Sequence, residues 1–539
     1  MHAGKLEVEA KFQVQSRSAW SALPAVLARL CHAVATPRTR NCRDQYLDTA
    51  DLWCLRAGVA CRLRMRDDGA ELGLKTLTPL RRGLANRTEI EEQLAGPAVK
   101  VPGPLPGRKI SRWLAPLMDR RPVRILFTLQ QTRTVYLVQP RAGVVLQVSA
   151  DVVSVAEAPK VPQRLELEVE LQKGTPEDLK RFVRRLRRAM KLRPGHDSKF
   201  EYGLHAAGIE PPALADADRP APDAGNRFGE VAHHVLEQNL RRLLWNEPGT
   251  RLGLDPEKLH DMRVAARRMR AALRVFGAAL PPREEAALRK DLAWVGAGLG
   301  RVRDLDVYLL TLQEDMRRLP SDLQPALDDY RKCIRMERER ARKAMLRMLL
   351  SARFGRFRRH FQDFFAAAPA ARDGNKLGRQ PVTTVAPDLI RGALKKVLKS
   401  GRQITVHSPE QELHELRIRC KRLRYVCEFL ADVYGAPALR LARRIAAFQD
   451  VLGTLQDATV AQRMINAFIS GALICKPCSQ TQYFALGQLM AWKRHHALSS
   501  RQSFLDAWQR FDRRKVREPL LRALKQTGRR QGSAKKRRR

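Results

Sequence analysis

Acidic residues are few beside basic ones: 56 Asp+Glu stand against 101 Lys+Arg in 539 residues, a formal net charge of +45. So one-sided a balance points to a polyanionic partner, whether nucleic acid, inorganic polyphosphate or an acidic membrane surface. Aromatics are also sparse, at 6%. The basic helices therefore lack most of the stacking platforms of a single-strand nucleic-acid binder, and that class becomes a lesser option. No apolar run approaches the roughly 18 residues of a membrane span. The start, Met1-His2-Ala3-Gly4-Lys5, leads straight into a strand pattern with no secretory-type segment. The nine cysteines are irregularly spaced, and Cys475-Lys-Pro-Cys478 has no second CxxC to complete a zinc site. Free thiols in a cytoplasmic protein are the expectation, with Cys420 and Cys427, seven apart on an apolar helix face, placed in the core.

What is present begins with Leu6-Glu7-Val8-Glu9-Ala10-Lys11-Phe12. Side chains alternate across a strand, so both glutamates and the lysine share one face and the apolar residues share the other. The pattern recurs at Arg62-Leu-Arg64-Met-Arg66, Arg87-Thr-Glu89-Ile-Glu91 and Leu165–Leu171. Several strands with one apolar and one charged face suggest a closed sheet, packed outside and charged within. Glu7, Glu9, Glu89, Glu91, Asp151, Glu166, Glu168 and Glu170 would supply carboxylates to the bore. Lys11, Arg62, Arg64, Lys75, Arg87, Arg133 and Lys199 would supply cations. Hard carboxylate oxygens suit Mg²⁺ or Mn²⁺, and Arg and Lys suit phosphate oxygens. The combination fits a metal-bound polyphosphate.

The length predicts at least two domains. Residues 1–205 read as β-rich, with 36 Lys+Arg against 21 Asp+Glu. Residues 206–225, rich in Pro, Ala and Asp, read as a linker. Residues 226–512 turn helical and carry an internal repeat. Leu259-His260 through Arg270 aligns without gaps on Leu413-His414 through Arg424, and Leu299-Gly300 through Asp304 on Leu452-Gly453 through Asp457. Two halves follow, about 226–366 and 388–512. On each repeat helix a basic stripe runs beside an apolar one. The stripes hold His260, Arg263, Arg267 and Arg270 in one copy and His414, Arg417, Lys421 and Arg424 in the other. Like charges along one face repel, and their recurrence in both halves favours an anion-binding groove over a merely solvated face. Glu428 stands where the first copy has Arg274, which predicts a less basic end to the second stripe. Val295-Gly-Ala-Gly-Leu-Gly300 follows helical sequence, so close helix packing is expected there, not a nucleotide loop. Residues 513–539 read as a disordered basic arm, able to hold nucleic acid or polyphosphate nonspecifically.

The Glu-x-Glu-x-Lys start, Tyr46-Leu-Asp-Thr, Arg62-x-Arg64, Lys75, Arg87-x-Glu89-x-Glu91, the Glu-rich strand ending at Gly174 and Ser198-Lys199 together resemble a CYTH domain, the triphosphate tunnel metalloenzyme family. The repeats at 226–512 resemble a CHAD domain. The resemblance implies an α+β multidomain protein: an eight-stranded antiparallel β-tunnel, then an all-α domain of two repeated four-helix bundles. It implies metal-dependent hydrolysis of inorganic triphosphate. Glu7, Glu9 and Lys11 would be catalytic, and Lys11, Arg62, Arg64, Lys75, Arg87, Arg133 and Lys199 would grip phosphate. Glu7, Glu9, Asp151, Glu168 and Glu170 would hold Mg²⁺ or Mn²⁺. It also implies that the eight repeat-helix residues bind inorganic polyphosphate, with polyphosphate granules as a possible location. The alternatives are a noncatalytic polyphosphate-binding protein, a class IV adenylate cyclase, and a triphosphatase acting on thiamine triphosphate or a nucleoside triphosphate.

Overall fold

A computed structural model describes residues 5–66, 69–77, 84–94, 101–195, 197–210, 221–366, 375–471 and 478–537. The chain divides into two compact units, Met1–Leu214 with Trp245–Lys258, and Ala215–Leu244 with Leu259–Arg539. The break at 214/215 lies inside the segment 206–225.

In the first unit eight strands close on themselves. They are β1 (Lys5–Gln13), β2 (Arg38–Thr49), β3 (Val59–Arg66), β4 (Gly69–Thr76), β5 (Leu84–Leu94), β6 (Val123–Arg141), β7 (Val144–Val155) and β8 (Arg164–Lys173). Their order around the barrel is β1-β5-β4-β3-β2-β6-β7-β8, and β8 returns to β1 with Glu9 opposite Glu170 and Lys11 opposite Glu168. Every pairing is antiparallel, and two-residue strands at Ala33–Val34 and Arg193–Pro194 add to the edges. Closure removes the exposed edges that an open sheet would leave. The outward residues Ala10, Phe12, Val148, Leu167 and Val169 are buried against the helices Leu23–Leu30 and Pro176–Met190. Each such side chain contributes roughly 1.5–3 kcal/mol by leaving water. Thr175 and Asp178 cap the second of these helices reciprocally.

One end of the bore departs from the sequence expectation of a charged interior. Tyr46, Phe127, Leu129, Val153 and Val155 face inward there and pack on Phe200 and Leu204 of the helix Lys199–Ala206. That helix plugs the barrel, started by a capping box between Ser198 and Glu201. Gly203 permits the approach, since a Cβ on it would lie 2.0 Å from the Phe127 ring. Strand alternation fixes which residues face in, but only the plug decides which of them need to be apolar.

From Phe228 onward each half of the helical region supplies four long helices. They are Phe228–Leu252, Pro256–Phe276, Pro282–Met316 and Asp328–Leu349, then Val382–Gly401, Glu410–Phe429, Ala436–Ile469 and Gln480–Phe511. The halves share one continuous apolar core, joined where the Phe276 ring meets those of Phe228 and Phe429. Cys420 and Cys427 are buried in it. The glycine run at 296–300 lies within a helix, and a Cβ on Gly298 would come 2.4 Å from the Met348 sulfur. Close packing is therefore its role.

Two expectations change. Arg514–Arg537 is helical where a disordered arm was read; Leu520 and Leu524, one turn apart, are buried, and Arg517 bonds Asp512. Burial of that short apolar stripe outweighs the repulsion among its charges. Among the described residues seven cysteines are free and Cys333 is disulfide-bonded, so free thiols hold for all but that one. Cys475 lies outside the described residues.

Candidate active site and basic groove

A cavity of about 650 Å³ opens inside the barrel. Its described lining includes seven cations, Lys11, Arg62, Arg64, Lys75, Lys109, Arg133 and Lys199, against four carboxylates, Glu89, Glu91, Glu168 and Glu170. Six of the seven phosphate-gripping residues expected from sequence are therefore together; the Arg87 side chain, like that of Glu7, is outside the described set. The cations are graded by depth. Lys11, Arg64 and Lys199 are buried, Arg62, Lys75 and Arg133 partly so, and Lys109 is exposed.

The charges form one linked chain. Arg62 lies 3.6 Å from Glu89, Glu89 3.8 Å from Lys75, and Lys75 3.7 Å from Glu9. Glu9 is 3.4 Å from Lys11, which binds Glu168. Glu168 meets Lys199 at 3.0 Å and Arg133 at 2.6 Å, and both of these bind Asp151, at 2.5 and 2.7 Å. Burial by itself would raise the Glu168 carboxyl, yet Lys11, Lys199 and Arg133 hold it well below the usual range. For Asp151 too, Lys199 and Arg133 overcome burial and lower its pKa. Glu166, fully buried, goes the other way: burial outweighs Lys199 and Lys11 and pushes it up. Near the mouth, burial and the neighbouring Glu89 and Glu71 raise Glu91 to about 7.

Several site residues were missed from sequence. Asp44 takes a bidentate bond from Arg64, 2.7 Å on each arm, and accepts from Gln131 at 2.8 Å. Glu71 stands 3.5 Å from both Arg62 and Arg66. The alternation Asp44–Tyr46 and Glu71–Lys75 placed both on the inner face, so a stricter use of period two would have found them. Arg164, 2.8 Å from Glu166, follows from the same rule. Lys109 comes from a helix outside the barrel, and no sequence pattern marks it.

The carboxylates offer the hard oxygens that a divalent cation takes. Both oxygens of Glu166 are buried with no hydrogen bond, one of them ion-paired with Arg164, and Glu9 and Glu170 face each other across β1 and β8. By donor chemistry the site fits a hard divalent cation. Among the described residues no three ligating side chains already surround one point, because the lysines and arginines hold the carboxylates. Asp151 does not line the cavity and is wholly enclosed by Arg133 and Lys199.

In the helical unit, the two repeat helices meet where Arg268 binds Glu428 and the Phe276 and Phe429 rings touch. Burial, and then Arg417, Arg267, Arg424 and Arg263 in turn, push Lys421 down to about 8, so charge from both halves converges on it. Arg263, Arg267 and Arg270 line one groove with Arg301, beside Asp304 and Glu337. His414 and Arg417 line a second with Arg463, Lys493, Arg494 and Arg501. His260 lines neither, and its Nδ1 is buried without a hydrogen-bond partner. Arg263 is tied to Asp304 at 2.7 Å, and Arg424 lies 3.3 Å from Glu428. Glu428 also binds Arg268 of the first half. The departure from the repeat therefore does more than weaken a stripe; it bonds one half to the other.

Comparisons with known proteins agree with this division. Residues 5–203 match the model of the CYTH domain, and residues 234–466 that of the CHAD domain. An uncharacterized protein of Mycobacterium tuberculosis is 28% identical over 479 residues, 85% of this chain and 88% of its own. The crystal structure of a CHAD domain from the plant Ricinus communis is 25% identical, covers 55% of this chain and 96% of its own, with a TM-score of 0.44. A Hippeastrum protein described as a putative adenylyl cyclase with a dominant triphosphatase activity is 18% identical, covers 37% of this chain and 95% of its own, with a TM-score of 0.27. Among the described residues no helix is long and apolar enough to cross a membrane.

Proposed function

We propose that this chain, which joins a CYTH domain to a CHAD domain, hydrolyses inorganic triphosphate to pyrophosphate and phosphate in the barrel and binds inorganic polyphosphate along the basic grooves of the helical domain. The observation that carries the first half is the lining of the bore, where cations from several strands and the plug helix converge on one cavity. Lys11, Lys199 and Arg133 reach its deepest part, where a multiply charged anion is best stabilised in low dielectric. An inorganic substrate is favoured over a nucleotide because the two aromatic rings of the lining are already engaged. Tyr46 stacks on Phe127 at 4.8 Å and meets Phe200 at 5.2 Å, so both rings serve the packing of the plug.

Glu9, Glu168 and Glu170, with Glu7 beside them in sequence, would hold Mg²⁺ or Mn²⁺. The bound ion would neutralise phosphate charge and provide an activated water for in-line attack. In this mechanism the chain's own cations have two tasks. Lys11, Lys199 and Arg133 exchange their carboxylate partners for phosphate oxygens, which frees Glu168. Arg62, Arg64 and Lys75, nearer the opening, orient the rest of the anion. Asp151 keeps Arg133 and Lys199 aimed into the bore while this exchange occurs. In the helical domain, the converging charge on Lys421 from both halves supports a long flexible polyanion as ligand, since such a chain relieves repulsion along the whole groove.

The test is phosphate release from triphosphate, ATP and long-chain polyphosphate with Mg²⁺, Mn²⁺ or EDTA. Metal-dependent release from triphosphate is expected, and the Glu7→Gln, Glu9→Gln double variant should fold but lose turnover by at least about a hundredfold. Cyclic AMP from ATP would make the barrel a cyclase. No release from any substrate, with polyphosphate still bound, would make the chain a receptor.

A further inference from the structure

Lys109 is unlike the other six described cations of the cavity. They sit on strands or on the plug and are engaged by carboxylates of the bore, whereas Lys109 makes no ion pair among the described residues and is exposed. It begins the helix Lys109–Leu117, which enters from outside the barrel. Its placement is built. The Glu92 carboxylate on β5 accepts three successive backbone amides, from Arg108 at 2.7 Å, Lys109 at 2.8 Å and Ile110 at 2.7 Å. These bonds, against burial, hold Glu92 below its ordinary pKa, so the cap is anionic. Gly107 turns the chain into the cap at φ +85°, and a Cβ there would lie 2.9 Å from a Glu92 oxygen. Only glycine meets both conditions. A carboxylate satisfying three amides of one helix start locks that backbone to the barrel strand. Lys109 thus starts from a backbone tied to the barrel strand, and its side chain, in no ion pair among the described residues, lines the cavity from its exposed side.

We propose that Lys109 supplies a subsite for a fourth phosphate, making it the residue that sets which length of linear polyphosphate the bore prefers. This rests on the reading of the bore as a triphosphatase site. The deep cations serve the phosphates nearest the reacting bond, and a longer chain emerging toward solvent meets Lys109 next. Glu92 acts as a positioning residue through it. Lys109 is exposed, so its substitution removes no packed group and threatens folding little.

The experiment compares full-length wild type with Lys109→Ala, Lys109→Arg and Glu92→Gln, measuring kcat and KM for inorganic tri- and tetrapolyphosphate with Mg²⁺. Lys109→Ala should lower the tetra-to-tri ratio of kcat/KM roughly tenfold, the value of one charge-assisted contact. The loss should appear in KM for tetrapolyphosphate. Lys109→Arg should restore the ratio, and Glu92→Gln should lower it in the same direction. A ratio unmoved by Lys109→Ala, in a protein whose wild type cleaves triphosphate, overturns the subsite alone. A wild type that cleaves neither chain overturns the reading of the bore, and the subsite with it.

Discussion

The barrel and the helical groove both gather cations, but they hold them differently. In the bore almost every cation already has a carboxylate partner, from Arg62–Glu89 at the opening to Lys199–Asp151 in the depths. In the helical domain acidic partners are fewer, Asp304 for Arg263 and Glu428 for Arg424, and burial together with the basic residues of both repeat helices pushes Lys421 down to about 8. A site whose charges cancel is stable when empty and resists any anion that does not bring positive charge with it. A site whose charges repel is relieved by the anion itself. The contrast matches a small, metal-accompanied substrate in the first and a long polyanion without metal in the second.

The largest test of that contrast removes a keystone from the balanced network. Asp151→Ala would remove one of the two carboxylates that Arg133 and Lys199 share and leave them Glu168, at a cost of about 3 kcal/mol, and thermal unfolding should show it. The groove should respond in the opposite way. Replacing Arg263, Arg267, Arg417 and Lys421 with glutamine removes repulsion, so stability should hold or rise while polyphosphate affinity falls. The slope of log affinity against log salt should flatten by about one for each lost contact. Unchanged affinity would move polyphosphate binding away from the repeat helices.

The smallest effect concerns pH, and its sign differs between the two regions. Glu91 is raised to about 7 in the fold, so the folded state binds more protons than the unfolded one between about pH 4.5 and 7. Its stabilising contribution is therefore present at low pH and is lost as pH rises through 7. Lys421 is depressed to about 8, so the unfolded state binds more protons between about pH 8 and 10.4, and stability climbs across that window. Urea unfolding at stepped pH should show Glu91→Gln abolishing the first slope and Lys421→Met the second. Because bound polyphosphate restores charge to Lys421, affinity should also weaken above about pH 8 in wild type and not in Lys421→Met.

Much of this was legible beforehand. Alternation alone put Glu9, Lys11, Arg62, Arg64 and Glu168 on one face, because a strand leaves each side chain only two directions. The repeat paired His260 through Arg270 with His414 through Arg424, since helical spacing gathers such residues into stripes. What stayed hidden depended on elements far apart in the chain. The helix Lys199–Ala206 had to be seen inside the barrel before Phe127, Leu129 and Val153 made sense as inward residues. Lys109 had to be seen capped by Glu92, seventeen residues earlier, before it counted as part of the cavity.

The sequence by itself determined the two domain types, the closed charged sheet and the twin basic stripes, all of which follow from local periodicity and composition. Only the tertiary structure decided which charges cancel and which repel. The energy of an ion depends on what lies within a few ångströms of it and on how much water is excluded, and neither distance nor dielectric is written in the order of residues.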